Sequence, residues 1–263
     1  MNFRIHHKPV TASTNQDARA GAHGDVYTAD AQTAGRGRLD HRWLSAPGAN
    51  LMLSAVFDVA GLAPEQVATF PLVVGLAVHA AVSRMLATVP DVPPVRLKWP
   101  NDLLVGGRKI AGILCERHAD AVIAGVGVNV NETAFPPEIA ARATSLAAVR
   151  GAAEAAGVVC LRDALLEELG ARYGTWRAEG FAAFQAHYAA VDWLRGRRVA
   201  VRQTDDDAAP LVGLCAGVQP DGTLLVGGTP VFAGEAHVVG VGDGCSFDVG
   251  CNVETKGDER WGS

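Results

Sequence analysis

Apolar residues follow two different spacings along this chain. Continuous or alternating apolar runs predict β-strands, whereas apolar residues three or four positions apart predict helices. In the first half of the chain, the runs predict strands over residues 25–33, 50–59, 95–99, 103–105, 109–115 and 121–130. The last of these runs is nearly all apolar, so we expect both of its faces to be buried. Gly106-Gly107 separates two of the strands and predicts the tight turn of a hairpin.

Helical spacing begins near the N-terminus. Ser13 or Thr14 can cap a short helix through Ala22, because a hydroxyl accepts a hydrogen bond from an amide of the first turn. A longer helix is predicted over residues 64–86, where Pro71 is tolerated only near the start of the main helix.

The second half begins with an alanine-rich stretch, 147–156, which is either a linker or a weak helix. Residues from 161 to about 193 have helical spacing with one apolar face. Beyond residue 193 the pattern changes to short runs that predict strands over 198–203, 211–218 and 223–226, with a Pro-Asp-Gly turn at 220–222.

This change in pattern divides the chain into three parts. We expect residues 1–193 to form an α/β (α+β) domain, and the short strands of residues 194–242 fit a small β barrel. Residues 243–263 are polar, rich in glycine and without periodicity, so we interpret them as a flexible tail.

Composition limits the classes of protein to consider. Of 263 residues, 49% are hydrophobic and 19% are charged, so the chain can bury a sizeable core. The net charge of −5 argues against a general nucleic-acid binder. Five cysteines without a close CxxC pair indicate reduced intracellular thiols rather than a disulfide framework or a zinc site.

We expect a cytoplasmic protein without membrane contact. The opening residues are polar and charged and lack the pattern of a signal peptide. The longest uncharged apolar stretch, 66–83, contains threonine, proline, glycine and histidine. It therefore predicts a buried helix rather than a membrane span.

The most informative motif is Gly-Arg-Gly-Arg-Leu-Asp-His-Arg-Trp at residues 35–43. Its glycines allow a backbone to wrap closely around a ligand, and its arginines present planar forks of donors that suit carboxylate and phosphate oxygens. Trp43 adds a flat apolar surface that can cover a ring. The pattern is typical of a loop that closes over an anionic small molecule, and a solvated surface loop is the alternative.

Four further motifs occur with this loop. They are Ser13-Thr14-Asn15-Gln16, Lys98-Trp99-Pro100-Asn101-Asp102, Arg108-Lys109-Ile110-Ala111-Gly112-Ile113-Leu114 and Gly125-Val126-Gly127-Val128-Asn129-Val130-Asn131, with Gln32 just before the loop. In this order and spacing the five motifs resemble those of biotin–protein ligases. The resemblance extends from about residue 3 to 241 and is dense between 13 and 131.

The resemblance implies a reaction, its reactants and a fold. Enzymes of this family use ATP and Mg²⁺ to convert biotin into biotinyl-5′-AMP, and then transfer biotin to a lysine of a biotin carboxyl carrier protein, such as a subunit of acetyl-CoA carboxylase. The implied catalytic domain is like that of class II aminoacyl-tRNA synthetases, with a mixed sheet, and a small SH3-like barrel follows it. Residues 233–236, Ala-Gly-Glu-Ala, are close to the family's pattern at the end of that barrel. A monomer or a homodimer is expected.

The resemblance also assigns the catalytic residues. Lys109 would reach both the biotin carboxylate and the phosphate, and Arg38 would hold phosphate oxygens. Asp102 would orient or deprotonate the incoming lysine, although it is equally typical of an aspartate at a turn. Lys98 and Trp99 are interpreted as architectural.

Biotin presents a ureido group, on which short polar side chains must converge. The residues that the resemblance assigns to biotin are Ser13, Thr14, Asn15, Gln32, Arg36, Gly37, Arg38 and Lys109. For Ser13 the alternative is a helix cap, and for Gln32 a strand residue that faces solvent.

The adenylate is assigned to overlapping residues: Arg36, Arg38, Arg42, Trp43, Lys109, Asn129 and Asn131. Asn129 would recognise the adenine, or instead satisfy backbone groups at the end of a strand. Trp43 is as consistent with a core position as with a ligand cover. Mg²⁺ keeps several waters and leaves little sequence signal, so its ligands stay open, with Glu116 as a weak candidate.

Three other classes of protein are alternatives. A ligase that also represses transcription needs an N-terminal helix-turn-helix module, and the catalytic pattern here begins by Ser13, so we expect no such module and no nucleic-acid partner. Lipoate or octanoyl transferases share the catalytic fold but lack the Gly-Arg-Gly-Arg loop. A non-catalytic biotin- or nucleotide-binding protein would not need the three cations Arg36, Arg38 and Lys109.

Overall fold

The computed structural model describes residues 1–38, 42–151, 157–202 and 209–239, which contain two β-sheets. The larger sheet has seven strands in the order β1-β2-β3-β7-β6-β5-β4. It is mixed, because β1 pairs in parallel with β2 and the other neighbours are antiparallel. Its strands are β1 (Arg4–Thr11), β2 (Asp25–Gln32), β3 (Leu51–Asp58), β4 (Val95–Lys98), β5 (Asp102–Val105), β6 (Arg108–His118) and β7 (Ala121–Val128).

Seven α-helices occur in the described residues. They are α1 (Thr14–Asp17), α2 (Pro64–Ala68), α3 (Phe70–Leu86), α4 (Pro137–Ala140), α5 (Leu146–Arg150), α6 (Val158–Glu179) and α7 (Gln185–Val191). Short 3-10 turns follow α1 and precede α7.

Alternation along the central strands gives the sheet two different faces. In β7, Val126 and Val128 belong to the main hydrophobic core, whereas Gly125 and Gly127, which alternate with them, lie on the opposite face. The same period in β3 buries Leu53 in that core and turns Ser54 the other way. One face of the sheet is therefore covered by helices, and the other carries glycine and polar residues.

Helices α3 and α6 cover the apolar face. Gly75 in α3 brings the helix close to the sheet, since a Cβ there would lie only 3.2 Å from Leu97. Phe57, Phe70 and Trp176 form an aromatic cluster between sheet and helices. The stretch 64–86 is long and apolar enough to cross a membrane by composition, but 67% of its apolar window is buried inside the protein. The prediction that this stretch is helical and buried is therefore confirmed, although it forms two helices, α2 and α3, that meet at Thr69.

The hairpin predicted at Gly106-Gly107 is present. The two glycines have φ values of 57° and 78°, a left-handed conformation that side chains with a Cβ rarely adopt. They join β5 to β6 and so place Asp102 and Lys109 on neighbouring strands.

Several elements differ from the sequence prediction, among them the unpredicted α4, β11 and β12. The edge strand β1 was not predicted, because its residues are polar and exposed and lack apolar alternation. The helix predicted from 161 to 193 is wrong as a single element: α6 ends at Glu179, since Gly180 takes a φ of 71°, and α7 follows separately. The first helix stops at Asp17 and continues only as a 3-10 turn over Ala18–Ala20.

The second sheet is antiparallel, with five strands in the order β11-β10-β9-β8-β12. These are β8 (Arg198–Arg202), β9 (Leu211–Val218), β10 (Leu224–Val226), β11 (Thr229–Val231) and β12 (Glu235–Val238). Trp99 joins the two sheets, because its indole Nε1 donates to the Gly222 carbonyl at 3.1 Å. The architectural interpretation of Trp99 agrees with this contact. The predicted tail, 243–263, lies outside the described residues.

Candidate active site

A strip of glycines forms the floor of a site on the sheet face opposite α3. A Cβ on Gly125 would overlap the side-chain amide of Asn15, and one on Gly127 would lie 2.5 Å from Trp43 Cε2. At Gly112 a Cβ would lie 3.2 Å from Trp43 and 3.3 Å from Lys109 Nζ. The glycines of β6 and β7 thus leave space that side chains from α1, the loop and the hairpin occupy.

Three buried residues, Thr14, Asn15 and Ser54, and the half-buried Gln32 form a polar network beside this floor. Gln32 Oε1 accepts from the Thr14 backbone amide at 2.7 Å and lies 3.1 Å from the Thr14 hydroxyl. Ser54 Oγ lies 2.7 Å from Thr14 Oγ1 and 2.6 Å from Asn15 Oδ1. The structure therefore brings together three of the residues predicted to bind biotin. It adds Ser54, which the sequence analysis missed.

Ser13 occupies the N-cap position of α1, but its side chain makes no capping hydrogen bond. The competing interpretation of Ser13, in which capping uses the hydroxyl, is therefore wrong for this helix. Ser13 is buried next to Thr14, where its predicted contact with biotin stays a prediction.

Glu116 of β6 links the network to the arginine loop. Its Oε2 accepts from Asn15 Nδ2 at 2.7 Å, and its Oε1 lies 3.4 Å from Arg36 Nη1. Arg19 lies 3.6 Å from the same Oε1. With two arginines and an amide already around it, Glu116 is poorly suited to the metal-ligand role considered for it.

The described parts of the loop form the stem of a hairpin. The Trp43 amide donates to the Gly35 carbonyl at 3.0 Å, and Arg36 pairs with Arg42 in an isolated antiparallel bridge. Gly37 follows the bridge, and residues 39–41 lie outside the described part. Trp43 is half-buried, and its indole Nε1 is a buried donor without a partner among the described residues.

The two main catalytic candidates form an ion pair. Lys109 Nζ lies 2.7 Å from Asp102 Oδ1, with the lysine side chain 39% exposed and the aspartate 20%. The backbone of Lys109 is held on both sides, since its amide donates to the Arg142 carbonyl at 2.7 Å and its carbonyl accepts from Thr144 at 2.9 Å. An ammonium group is thereby held near the glycine floor.

Further charges surround this pair. Arg38 Nη1 lies 3.4 Å from Asn101 Oδ1, and burial lowers the pKa of its guanidinium, while Glu235 and Asp102 oppose the shift. Burial likewise lowers the pKa of the Lys98 ammonium, and Asp102 and Glu235 again oppose it. Lys98 was interpreted as architectural, but it lies beside the catalytic candidates. Glu235 comes from β12, so the second sheet contributes a carboxylate here.

The two asparagines after β7 sit at a well-ordered junction. Asn129 Nδ2 donates to the Thr144 carbonyl at 3.0 Å, which is the backbone-satisfying role considered for it. The Asn131 amide donates to the Ala49 carbonyl at 2.8 Å. Nearby, Asn50 accepts from the Val130 amide at 2.8 Å, and the sequence analysis did not single it out. Recognition of adenine by Asn129 and Asn131 stays a prediction.

In the described ranges, no group of three His, Cys, Asp or Glu side chains is arranged to hold a metal ion. The cations of the site are instead arginine and lysine side chains. Such a site suits a ligand that carries its own anionic groups.

Known proteins share the sequence and this architecture. The family model of the biotin/lipoate A/B protein ligase family matches residues 8–131. A biotin–[acetyl-CoA-carboxylase] ligase of Mycobacterium tuberculosis is 36% identical over 239 residues, which cover 87% of this chain and 86% of that protein. One of the same name from Paracoccus denitrificans is 30% identical over 83% of this chain and 92% of its own length.

Among solved structures, a biotin protein ligase from Aquifex aeolicus in complex with biotin and ATP is 26% identical and superposes with a TM-score of 0.77. The match covers 89% of this chain and 98% of that one. Because the similarity extends over most of both chains, in sequence as well as in fold, this chain belongs to the biotin–protein ligases of the biotin/lipoate A/B protein ligase family.

Proposed function

We propose that the protein is an ATP-dependent ligase that activates biotin as biotinyl-5′-AMP and transfers it to a lysine of a biotin carboxyl carrier protein. The names of the relatives support a carrier of the acetyl-CoA-carboxylase type, and the similar Aquifex aeolicus structure contains biotin and ATP. The observation that carries the proposal for this chain is the placement of Lys109, 2.7 Å from Asp102 and at the edge of the glycine floor.

The first half-reaction brings two anions together. A carboxylate oxygen of biotin attacks the α-phosphorus of ATP, a P–O bond forms, and pyrophosphate leaves with the electrons of the broken P–O bond. Two unit charges about 4 Å apart repel by roughly 4 kcal/mol at an effective dielectric of about 20. Lys109 and Arg38 offset this repulsion, and Arg36 and Arg42 extend the positive charge along the loop.

The polar network is suited to the ureido end of biotin. Thr14 and Gln32 offer an acceptor and a donor side by side, and Ser13 and Asn15 lie in the same segment. Trp43 lies on the glycine strip in this structure, so the apolar rings and tail of biotin would enter along the strip as the indole moves aside. Gly37 lets the loop backbone approach the ligand. Trp43 covers the strip next to the adenylate, with Asn129 and Asn131 at the adenine end.

The second half-reaction needs a neutral amine. The carrier lysine attacks the carbonyl carbon of the mixed anhydride, a C–N bond forms, and AMP leaves. Asp102 orients the incoming ammonium and accepts its proton, because its carboxylate lies beside Lys109 at the end of the site where the carboxylate and phosphate react. The Lys109 side chain donates to the departing phosphate.

The supporting parts of the proposal follow from the same residues. Mg²⁺ would enter with the triphosphate and neutralise part of its charge, and among the described residues no group of three His, Cys, Asp or Glu is arranged to hold it. The second sheet is proposed to close into an SH3-like barrel over residues 194–242, after a catalytic domain that ends at 193. We propose a cytoplasmic enzyme that works as a monomer or homodimer.

The test is a complete reaction with defined reactants. The protein is mixed with biotin, Mg-ATP and an isolated carboxyl carrier domain, and the carrier is weighed by mass spectrometry. A mass gain of one biotin is expected, and it must require ATP. A parallel reaction contains lipoate in place of biotin. If the carrier gains lipoate but not biotin, or if biotin binds without consumption of ATP, the proposal is wrong.

A further inference from the structure

Glu116 is the point where the ureido-binding network and the arginine loop meet. One carboxylate oxygen, Oε2, accepts from Asn15 Nδ2 at 2.7 Å. The other, Oε1, lies 3.4 Å from Arg36 and 3.6 Å from Arg19. Both of these neighbours are arginines, and a carboxylate beside them only accepts hydrogen bonds.

This charge fixes the orientation of the Asn15 amide. Its Nδ2 must face Glu116, and it also donates to the Leu114 carbonyl at 3.3 Å. Its Oδ1 therefore faces Ser54 Oγ at 2.6 Å, and this oxygen is purely an acceptor. The single hydroxyl proton of Ser54 is thereby committed to Asn15.

The direction of the next hydrogen bonds follows by counting protons. Ser54 has no proton left for Thr14. If the two hydroxyls, 2.7 Å apart, share a hydrogen bond, the Thr14 hydroxyl is therefore its donor. The Thr14 proton goes to Ser54 or to Gln32 Oε1, and in both cases the lone pairs of Thr14 stay available to a ligand. Gln32 Oε1 is occupied by the Thr14 amide, so Gln32 presents its Nε2 donors.

We propose that Glu116 is a positioning residue that sets the hydrogen-bond direction of this network. The network then offers an acceptor at Thr14 and a donor at Gln32, which complements a cyclic urea with adjacent N–H and C=O groups. The inference rests on the proposed function for the identity of the ligand. Glu116 itself contacts no reacting atom, and it acts through Asn15 and Ser54.

The test replaces the charge but keeps the shape, with Glu116→Gln. A glutamine can donate to Asn15 Oδ1, so the flipped orientation of the Asn15 amide is opposed only by the longer 3.3 Å contact with the Leu114 carbonyl and becomes populated. We expect the KM for biotin in adenylate formation to rise about ten-fold, the effect of roughly one hydrogen bond to a charged group, while kcat and the KM for ATP change less than about two-fold. Calorimetric titration with biotin alone should show the same loss of affinity.

Two further variants separate positioning from loss of structure. Arg19→Ala removes one ion-pair partner of Glu116 but leaves Asn15 in place, so the KM for biotin should stay within about two-fold of wild type. Ser54→Ala removes the hydroxyl that connects Asn15 to Thr14. The double variant Glu116→Gln/Ser54→Ala should bind biotin no more weakly than the weaker-binding single variant, because both changes interrupt the same chain of hydrogen bonds.

Several outcomes would overturn the inference. One is that wild type and Glu116→Gln bind biotin with equal affinity. A second is that the losses of binding free energy in the two single variants add up in the double variant. A third is that the KM for ATP rises together with the KM for biotin. Failure of the proposed function is distinguishable from these. In that case the wild-type protein itself would leave the carrier unmodified, whatever residue stands at position 116.

Discussion

The side chain of Lys109 reaches Asp102 by crossing Gly112. In the ladder between β5 and β6, Asp102 is paired with Gly112 and Leu104 with Lys109, so the two charged residues are not opposite each other. Lys109 Nζ nevertheless lies 2.7 Å from Asp102 Oδ1. A Cβ on Gly112 would be 3.3 Å from Lys109 Cε, so the bare glycine leaves the lysine its path. The position of the Lys109 ammonium therefore depends on the register of the β5–β6 hairpin and on the lack of a side chain at Gly112.

Replacing Lys109 by alanine should abolish most adenylate formation without unfolding the protein. The ammonium is partly exposed, so its loss costs little stability, whereas the repulsion between carboxylate and phosphate is left uncompensated. We expect the rate of biotin-dependent pyrophosphate release to fall by about 100-fold or more, the scale of one lost electrostatic contact to a transition state.

Arg108→Ala is the matched control for this variant, because Arg108 is the exposed neighbour on the same hairpin. It should retain near-normal pyrophosphate release and an unchanged melting temperature. Near wild-type activity of Lys109→Ala would remove Lys109 from the mechanism.

A methyl group on Gly127 should disturb the cover of the site. The added carbon would lie 2.5 Å from Cε2 of Trp43, so the indole must move off the glycine floor. We expect Gly127→Ala to raise the KM for ATP about ten-fold or more, from loss of a packed aromatic contact. Steady-state kinetics with varied ATP measure this directly.

Gly174→Ala provides the comparison. Gly174 lies within α6, and an added Cβ there meets nothing within 4 Å. That variant should bind ATP normally and gain up to about 1 kcal/mol of stability from helix propensity. If both variants bind ATP as wild type does, the floor is not part of the nucleotide site.

Strand positions were predictable from the sequence because their apolar periods are strong. β3 and β7 are almost entirely buried, and Gly106-Gly107 admits little besides a tight turn. β1 was missed because an exposed edge strand has no apolar face to leave a pattern. The break at Gly180 was missed for a related reason: helical spacing continues on both sides of it.

The candidate site was predictable where motifs are dense and not elsewhere. Ser54 is a single hydroxyl in an otherwise apolar strand, and such a residue does carry a signal, since its burial requires a hydrogen-bond partner. Its partners Thr14 and Asn15 lie 40 and 39 residues away, so no local pattern connects them. The approach of Glu235 to Arg38 joins the two sheets, and only the fold brings these residues together.

The stability of the protein should fall as the pH is lowered through 6.5. Burial lowers the pKa of His79, and the nearby positive groups His187, Arg96 and Arg172 lower it further. A hydrogen bond with the Val95 backbone acts in the opposite direction. The unfolded chain therefore binds a proton at a higher pH than the folded one, and stability declines from about pH 6.5 downward. Burial also lowers the pKa of His187, which adds to the effect in the same direction.

Urea unfolding at pH 7.5 and 5.5 measures this dependence. The wild-type free energy of unfolding should be smaller at pH 5.5, and the difference should shrink in His79→Gln. The carboxyl of Asp25 does not contribute in this window, because hydrogen bonds from His6, the Ala22 amide and Arg4 hold its pKa far below its usual value. An equal pH dependence in both proteins would show that His79 does not titrate with unfolding.

Arg38 should govern how long the adenylate stays bound. Its guanidinium is drawn inward toward Asn101, Asp102 and Glu235, and the charge is costly to bury unless an anion pairs with it. A bound phosphate supplies that anion, so Arg38→Ala should release biotinyl-5′-AMP at least about ten-fold faster, since most losses of a contact appear in the dissociation rate. Arg117→Ala, at the exposed far end of β6, is the control and should release it at the normal rate. The readout is a chase of labelled adenylate from preloaded protein without carrier. Unchanged retention in Arg38→Ala would mean that the loop holds the adenylate by Arg36 and Trp43 alone, and that the charge of Arg38 serves only the transition state.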